Sequence, residues 1–97
     1  EYPVGGGLAG NVTRPSDKQN YTLLLQELRR QLRAREAADG RSYLLTVAMP
    51  AGADKLVHHE VAGIAETVDW INVMTYDFHG TWEATTNHHA PLYRNPQ

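Results

Sequence analysis

The sequence contains no cysteine, which excludes a disulfide-stabilised scaffold and a zinc site built from thiolates. It has no apolar run near the roughly 18 residues that a membrane-spanning helix needs, so a membrane partner is excluded. Nine Lys and Arg face eleven Asp and Glu, a net charge of −2 with no long basic run, so nucleic acid is not the expected partner. A P-loop lysine motif and the serine-nucleophile motif GxSxG are also missing.

The elements that are present alternate between helix and strand. A glycine-rich loop comes first, then a helix, a buried strand, a second helix, another strand and a long polar loop. Strands separated by helices pair in parallel through right-handed crossovers, so the sequence indicates an α/β protein. The expected bounds are 1–15 for the first loop, 16–40 for the first helix, 43–49 for the strand closed by Pro50, about 55–67 for the second helix, 70–74 for the second strand, and 75 onward for the last loop.

The first helix has the clearest local pattern. Ser16 followed by Gln19 three positions later predicts a capping box, and Gly40 is placed to end the helix. An apolar stripe at spacings of three and four residues predicts one buried face. Its members are Tyr21, Leu24, Leu25, Leu28 and Leu32. Arginines crowd the second half of the helix, where they form either a solvated face or a basic patch for an anionic partner.

Two strands and two helices cannot close a sheet or cover both of its faces, so we interpret the chain as a slice of a larger α/β protein. It starts at Glu1 with no methionine and no signal-peptide core, which indicates a cut. Expressed alone, such a slice is expected to be marginally stable and to associate through open strand edges.

Parallel α/β folds place their sites at the carboxyl ends of strands. Tyr76 and Asp77 follow the end of the second strand, and Trp82 lies a few residues further along the chain. Aromatic rings that stack on sugar faces and carboxylates that handle hydroxyls suit a carbohydrate. The alternative is that Tyr76 is a packed core tyrosine and Asp77 a turn residue.

The histidines allow a second kind of site. His59-Glu60 begins like a zinc-protease helix, but Gly63 stands where the second histidine is required, which rejects that motif. Asp77, His79 and the pair His88-His89 could instead converge on a metal ion, because carboxylates and imidazoles suit zinc or manganese. Solvent-exposed loop histidines are the competing interpretation.

Four segments together resemble glycoside hydrolase family 18, the chitinases. Glu1-Tyr2-Pro3 with its glycine-rich loop resembles the end of the family's catalytic signature, and the segment from Trp70 through Tyr76-Asp77 to Trp82 resembles its sixth-strand signature, MxYDxxGxW. Residues 14–21 resemble the start of the helix after the fourth strand, and 87–93 resemble the loop ending in APLY or SPLY. The resemblance covers the whole chain and is closest to bacterial chitinases.

The resemblance implies a (β/α)8 TIM barrel, of which residues 1–97 are one fragment running from the end of strand 4 to the loop after strand 6. The implied activity is hydrolysis of β-1,4 bonds between N-acetylglucosamine units of chitin, by a retaining mechanism in which the substrate's own acetamido group attacks. Chitin or chitooligosaccharides are the implied partners, no metal or cofactor is needed, and an extracellular location follows from the insoluble substrate. The oligomeric state stays open.

The resemblance also implies residue roles. Glu1 is the expected general acid and base, Tyr76 holds the acetamido oxygen, and Asp77 binds the same sugar and helps to place Glu1. Tyr2, Met74 and Trp82 are the expected substrate-binding residues, with Met74 at the pocket floor and Trp82 stacked on the leaving-group side.

The family's signature aspartates precede the glutamate and are therefore absent from this chain. We expect the isolated 97 residues to be inactive for that reason. Two competing interpretations remain: a chitinase-like protein that binds chitin oligosaccharides without cleaving them, and an unrelated α/β fragment. Glu1 argues against the first, since such binding proteins typically replace that acid.

Overall fold

The backbone alternates between helix and strand in the order expected of an α/β protein. The computed structural model describes residues 2–94. Within them, no helix combines the length and the apolar character that crossing a bilayer requires. The elements are α1 (Asp17–Asp39), β1 (Thr46–Pro50), α2 (Ala53–Leu56), α3 (Val61–Thr67) and β2 (Trp70–Met74).

Helix α1 begins and ends where the sequence predicts, but its amino-terminal cap is not the predicted one. Gly40 takes the left-handed conformation, with φ 68°, and its N–H donates to the Glu36 carbonyl. The predicted capping box is wrong, because Ser16 already has helical backbone angles and its side chain makes no cap hydrogen bond. The Asp17 carboxylate instead accepts hydrogen bonds from the Arg14 backbone N–H at 2.8 Å and the Asn20 amide at 3.3 Å.

Strands β1 and β2 pair in parallel, as the alternating pattern predicts. The register runs from Thr46 opposite Trp70 to Pro50 opposite Met74. In the described residues coverage of the two faces is unequal: Val47 and Met49 on one face of β1 are buried, whereas Thr46 and Ala48 on the other face are exposed. The described elements thus do not cover both faces of the sheet, as expected for two strands and two helices.

The predicted second helix, from about 55 to 67, is wrong as a single element. It is divided into α2 and α3 by a tight turn in which the N–H groups of His58 and His59 donate to carbonyls three residues earlier. Glu60, with φ −88° and ψ 72°, then leaves the helical region before α3 starts. The turn buries His59 to 4% exposure, and its ring meets Tyr21 of α1 edge-on at 5.7 Å.

The core lies between the helices and one face of the sheet. Its buried members come from α1, β1 and α3, and they are Leu25, Val47, Met49 and Ile64. The predicted stripe of α1 is buried in part, since Leu25 is 4% exposed but Leu24 is 55% and Leu28 40% exposed. The outer part of the stripe has no apolar cover among residues 2–94.

A polar clasp ties α1 to the amino-terminal ends of both strands. The guanidinium of Arg29 donates to Asp69 Oδ2 at 2.6 Å and to the Thr67 carbonyl at 2.8 Å. The same Asp69 oxygen accepts the Leu45 N–H at 2.7 Å, and the Asp69 N–H donates to the Leu45 carbonyl at 2.8 Å. One carboxylate therefore joins a helix to the segment that leads into β1.

The clasp predicts that the difference in stability between wild type and an Asp69 variant depends on pH. The hydrogen bond from Arg29, with that from the Leu45 N–H, holds the pKa of Asp69 below its ordinary value of 3.8. A lowered carboxyl pKa contributes stability above the ordinary value, and that contribution is lost as the pH falls through the folded-state value. In urea titrations of the complete protein at pH 6, the Asp69→Asn variant should unfold at a lower midpoint than wild type.

That difference should shrink as the pH falls from about 4 towards 3, because protonation removes the same charge from wild type. Glu66→Gln, a change at an exposed carboxylate that makes no hydrogen bond or ion pair within residues 2–94, is the matched control and should follow wild type throughout. A gap between Asp69→Asn and wild type that stays constant down to pH 3 would contradict the clasp's contribution.

Candidate active site

The carboxyl ends of β1 and β2 meet at one edge, since Pro50 lies opposite Met74. The segments that follow, Ala51-Gly52 and Thr75-Tyr76-Asp77, therefore open side by side, which is where the rule for parallel sheets places a site. A cavity of about 250 Å³ lies at this edge.

The cavity brings together five of the six site residues expected from the sequence. Glu1 lies outside the described residues. The others line one space although 80 positions separate the first from the last. They are Tyr2, Met74, Tyr76, Asp77 and Trp82.

Tyr76 and Asp77 line the cavity and keep much of their side-chain surface exposed. The side chain of Asp77 is 56% exposed and Tyr76 is 50% exposed. In residues 2–94, Tyr76 is therefore not a packed core tyrosine. Asp77 has φ 56°, the left-handed region that Asp enters more readily than most residues. Asp77 is therefore a turn residue by its backbone conformation, and its side chain lines the cavity.

Met74 and Trp82 form the apolar part of the wall. Met74 is 8% exposed and closes the end of β2, whereas Trp82 is 65% exposed and offers a free ring surface. The Trp82 ring lies directly over Gly80, where any Cβ would collide with it. Glycine at position 80 is required for this placement of the indole ring.

Six further residues line the cavity, and none of them is among the site residues expected from the sequence: Pro50, Ala51, Gly52, Asp54, Lys55 and Phe78. Asp54 and Lys55 form an ion pair of 3.3 Å at the start of α2, so they add a charged wall across from Tyr76 and Asp77. Their position just after the end of β1 could have identified them from the sequence, because sites in parallel sheets lie beyond the carboxyl ends of strands.

The last loop folds back over the end of β2. The Phe78 N–H donates to the His89 carbonyl at 3.0 Å, and the His89 ring stacks on Tyr76 with centroids 6.4 Å apart. His79 turns away from this contact, and its Nδ1 lies 2.8 Å from Glu83 Oε2.

The proposed metal set does not assemble in the described part of the chain. His89 Nδ1 lies 3.5 Å from Asp77 Oδ1, while His79 is engaged by Glu83. Residues 2–94 contain no group of three or more His, Asp or Glu side chains arranged to hold a metal ion. The histidines are thus paired with individual carboxylates.

The family model for glycosyl hydrolases of family 18 matches residues 1–97, the whole chain. The chain belongs to the glycosyl hydrolases of family 18. The resemblance carried by the Glu1-Tyr2-Pro3 and Trp70–Trp82 segments is thereby confirmed.

Relatives of this family 18 chain are named as chitinases. Chitinase A1 from Niallia circulans is 56% identical over 96 residues, which cover 99% of this chain and 14% of that protein. Among solved structures, chitinase ChiA74 from Bacillus thuringiensis has a TM-score of 0.93 at 52% identity, covering 99% of this chain and 15% of that one. A class V chitinase from Nicotiana tobaccum, solved in complex with NAG4, has a TM-score of 0.77 at 32% identity, covering 88% of this chain and 26% of that one.

The family 18 chain spans 14% of the length of Chitinase A1 and 15% of ChiA74. The activity of the complete protein is therefore proposed, on the basis of the cavity and its residues.

Proposed function

We propose that the complete protein containing this chain hydrolyses β-1,4 linkages between N-acetylglucosamine units of chitin. The observation that carries the proposal is the shared cavity at the strand ends, where Tyr76, Asp77, Met74 and Trp82 meet in a chain of family 18. The 250 Å³ cavity combines a ring surface for a sugar face with a phenol and a carboxylate for its polar groups.

The proposal places residues 1–97 within a single catalytic (β/α)8 barrel, from the end of strand 4 to the loop after strand 6. Parallel pairing of β1 with β2 supports this placement, as does the exposure of Thr46 and Ala48 on one face of β1. The exposed outer stripe of α1, with Leu24 and Leu28, is the kind of surface that neighbouring barrel elements cover.

The proposed reaction needs no carboxylate nucleophile. The acetamido oxygen of the substrate attacks its own anomeric carbon while Glu1 protonates the leaving glycosidic oxygen, which gives an oxazolinium ion. Glu1 then removes a proton from water, and the attack of that water on the anomeric carbon opens the ring with net retention.

The residues around the cavity have distinct roles in this scheme. The Tyr76 hydroxyl donates a hydrogen bond to the acetamido oxygen and holds it in line for attack, a proximity effect. Asp77 binds the same sugar and helps to place Glu1. Tyr2 and Met74 contact the sugar at the pocket floor, and Trp82 stacks on the leaving-group side. No step uses a metal or an organic cofactor.

The proposed substrate also bears on location. Chitin is an insoluble polymer, so an enzyme that attacks it works outside the cell. We propose an extracellular location for the complete protein on this ground, with chitin or chitooligosaccharides as its partners.

A second candidate function is binding of chitin oligosaccharides without cleavage. The open ring of Trp82, 65% exposed at the cavity, favours binding whether or not a bond is broken. The two functions differ at Glu1, because a binding protein has no use for a proton donor at the glycosidic oxygen.

A product assay with the complete protein tests the proposal. We expect the N-acetylglucosamine tetramer to be cleaved, with the β-anomer formed first in proton NMR spectra, because the double displacement retains configuration. The 97-residue chain alone should release no product, because the residues that precede Glu1 in the family signature are required. Binding without products would favour the second function, and α-anomer formed first would reject the mechanism.

A further inference from the structure

One imidazole contacts both polar residues at the end of β2. The His89 ring lies over the Tyr76 ring with an interplanar angle of 20° and a centroid distance of 6.4 Å. Its Nδ1 is 3.5 Å from Asp77 Oδ1. This is an ion-pair contact rather than a hydrogen bond, and it is attractive with the ring proton on Nδ1 facing the carboxylate.

The backbone fixes His89 in this place. Its carbonyl accepts the Phe78 N–H at 3.0 Å, so the last loop is pinned to the residue that follows Asp77. His88, its neighbour, uses its backbone N–H on the Asn87 side chain at 2.8 Å, and in residues 2–94 its ring contacts neither Tyr76 nor Asp77. The two adjacent histidines thus differ sharply in their surroundings.

The contact matters because few other interactions restrain the side chains of Tyr76 and Asp77. Both are at least half exposed, and neither side chain makes a hydrogen bond in the described part of the chain. An exposed side chain samples several rotamers, and a catalytic group that is misplaced by about 1 Å can lose about 100-fold in rate.

We propose that His89 is a positioning residue for Tyr76 and Asp77. Its ring restricts the Tyr76 phenol by stacking, and its Nδ1–H draws the Asp77 carboxylate into one orientation at the cavity. This inference rests on the proposed function, in which Tyr76 and Asp77 act on the substrate. His89 itself does not line the cavity and acts through the other two.

Two substitutions separate the ring from the donor. In His89→Asn the side-chain amide takes the place of Nδ1–H, so the contact with Asp77 is kept and the ring is lost. In His89→Phe a ring remains over Tyr76, but the donor is lost. His88→Phe introduces the same ring at the adjacent position and serves as the matched control.

The experiment measures kcat and KM of the complete protein on the N-acetylglucosamine tetramer, together with thermal unfolding midpoints. For His89→Phe we expect kcat to fall by about 10- to 100-fold, with KM within about threefold of wild type. His89→Asn, which keeps a donor near Asp77 but lacks the ring, should recover part of that loss, and His88→Phe should match wild type. The unfolding midpoints of all three variants should agree.

The outcomes separate this inference from the proposed function. If wild type cleaves the tetramer and His89→Phe keeps full kcat, the positioning role is overturned and the function stands. A drop in kcat that tracks a drop in unfolding midpoint, or that His89→Asn does not relieve, also overturns it. If wild type does not cleave the tetramer, the proposed function fails, and calorimetry of tetramer binding then tests the positioning role. Weaker binding by His89→Phe but not by His89→Asn supports that role. Any other result overturns it.

Discussion

Replacing Glu1 by Gln should lower kcat of the complete protein on chitooligosaccharides by about 10²- to 10⁴-fold, the range of general acid–base catalysis. The amide keeps the shape of the side chain but cannot deliver a proton to the leaving oxygen or take one from water. KM should change little, because sugar contacts at Tyr2, Met74 and Trp82 are left in place. Steady-state kinetics on the N-acetylglucosamine tetramer measure both quantities.

Glu66→Gln is the matched control, since it makes the same chemical change at an exposed position on α3, away from the cavity. Its kinetics should equal those of wild type. A Glu1→Gln variant that keeps more than about a tenth of wild-type kcat would remove Glu1 from the acid–base role, given the size of such contributions.

Replacing Ile64 by Ala should lower the free energy of unfolding by about 2–5 kcal/mol, the usual cost of truncating a large buried aliphatic side chain. Ile64 is 0% exposed and joins Leu25 of α1 to Val47 and Met49 of β1. The substitution therefore opens a cavity at the one point where helices and sheet meet. Urea denaturation of the complete protein, followed by tryptophan fluorescence, measures the change.

Ile64→Val, which removes a single methylene, should cost about 0.5–1.5 kcal/mol. Glu66→Ala, on the exposed face of the same helix, should stay within about 0.5 kcal/mol of wild type. Equal effects of Ile64→Ala and Glu66→Ala would show that Ile64 is not part of the core of the complete protein.

The secondary structure was most predictable where local chemistry and packing agree. Strand β2 has the predicted bounds, Trp70–Met74, and Gly40 ends α1 as expected, because glycine takes a left-handed backbone at little cost. The break between α2 and α3 was missed. The apolar spacing of 55–67 continues across it, and only the burial of His59 against Tyr21 of α1 favours the turn.

The candidate site was likewise predictable only in part from the sequence. Tyr76, Asp77 and Trp82 were found because they follow a strand end within eight residues, so a rule about parallel sheets applies to them directly. Their roles, and that of Glu1, remain predictions. His89 was interpreted as either a metal ligand or a solvent-exposed loop residue, because its approach to Tyr76 depends on how the last loop returns, and no local pattern encodes that path.

The sequence by itself determined the family, the alternation of helix and strand, and the segments that meet at the strand ends. These follow from short-range information: residue types, spacing along one element, and signature motifs. Only the tertiary structure decided that Asp54, Lys55 and Phe78 share the cavity, that Asp69 clasps Arg29, and that His89 rather than His88 reaches Asp77. Those contacts join residues on different elements or on separate stretches of a loop, and their geometry is set when the helices pack on the sheet and the last loop folds back over its edge.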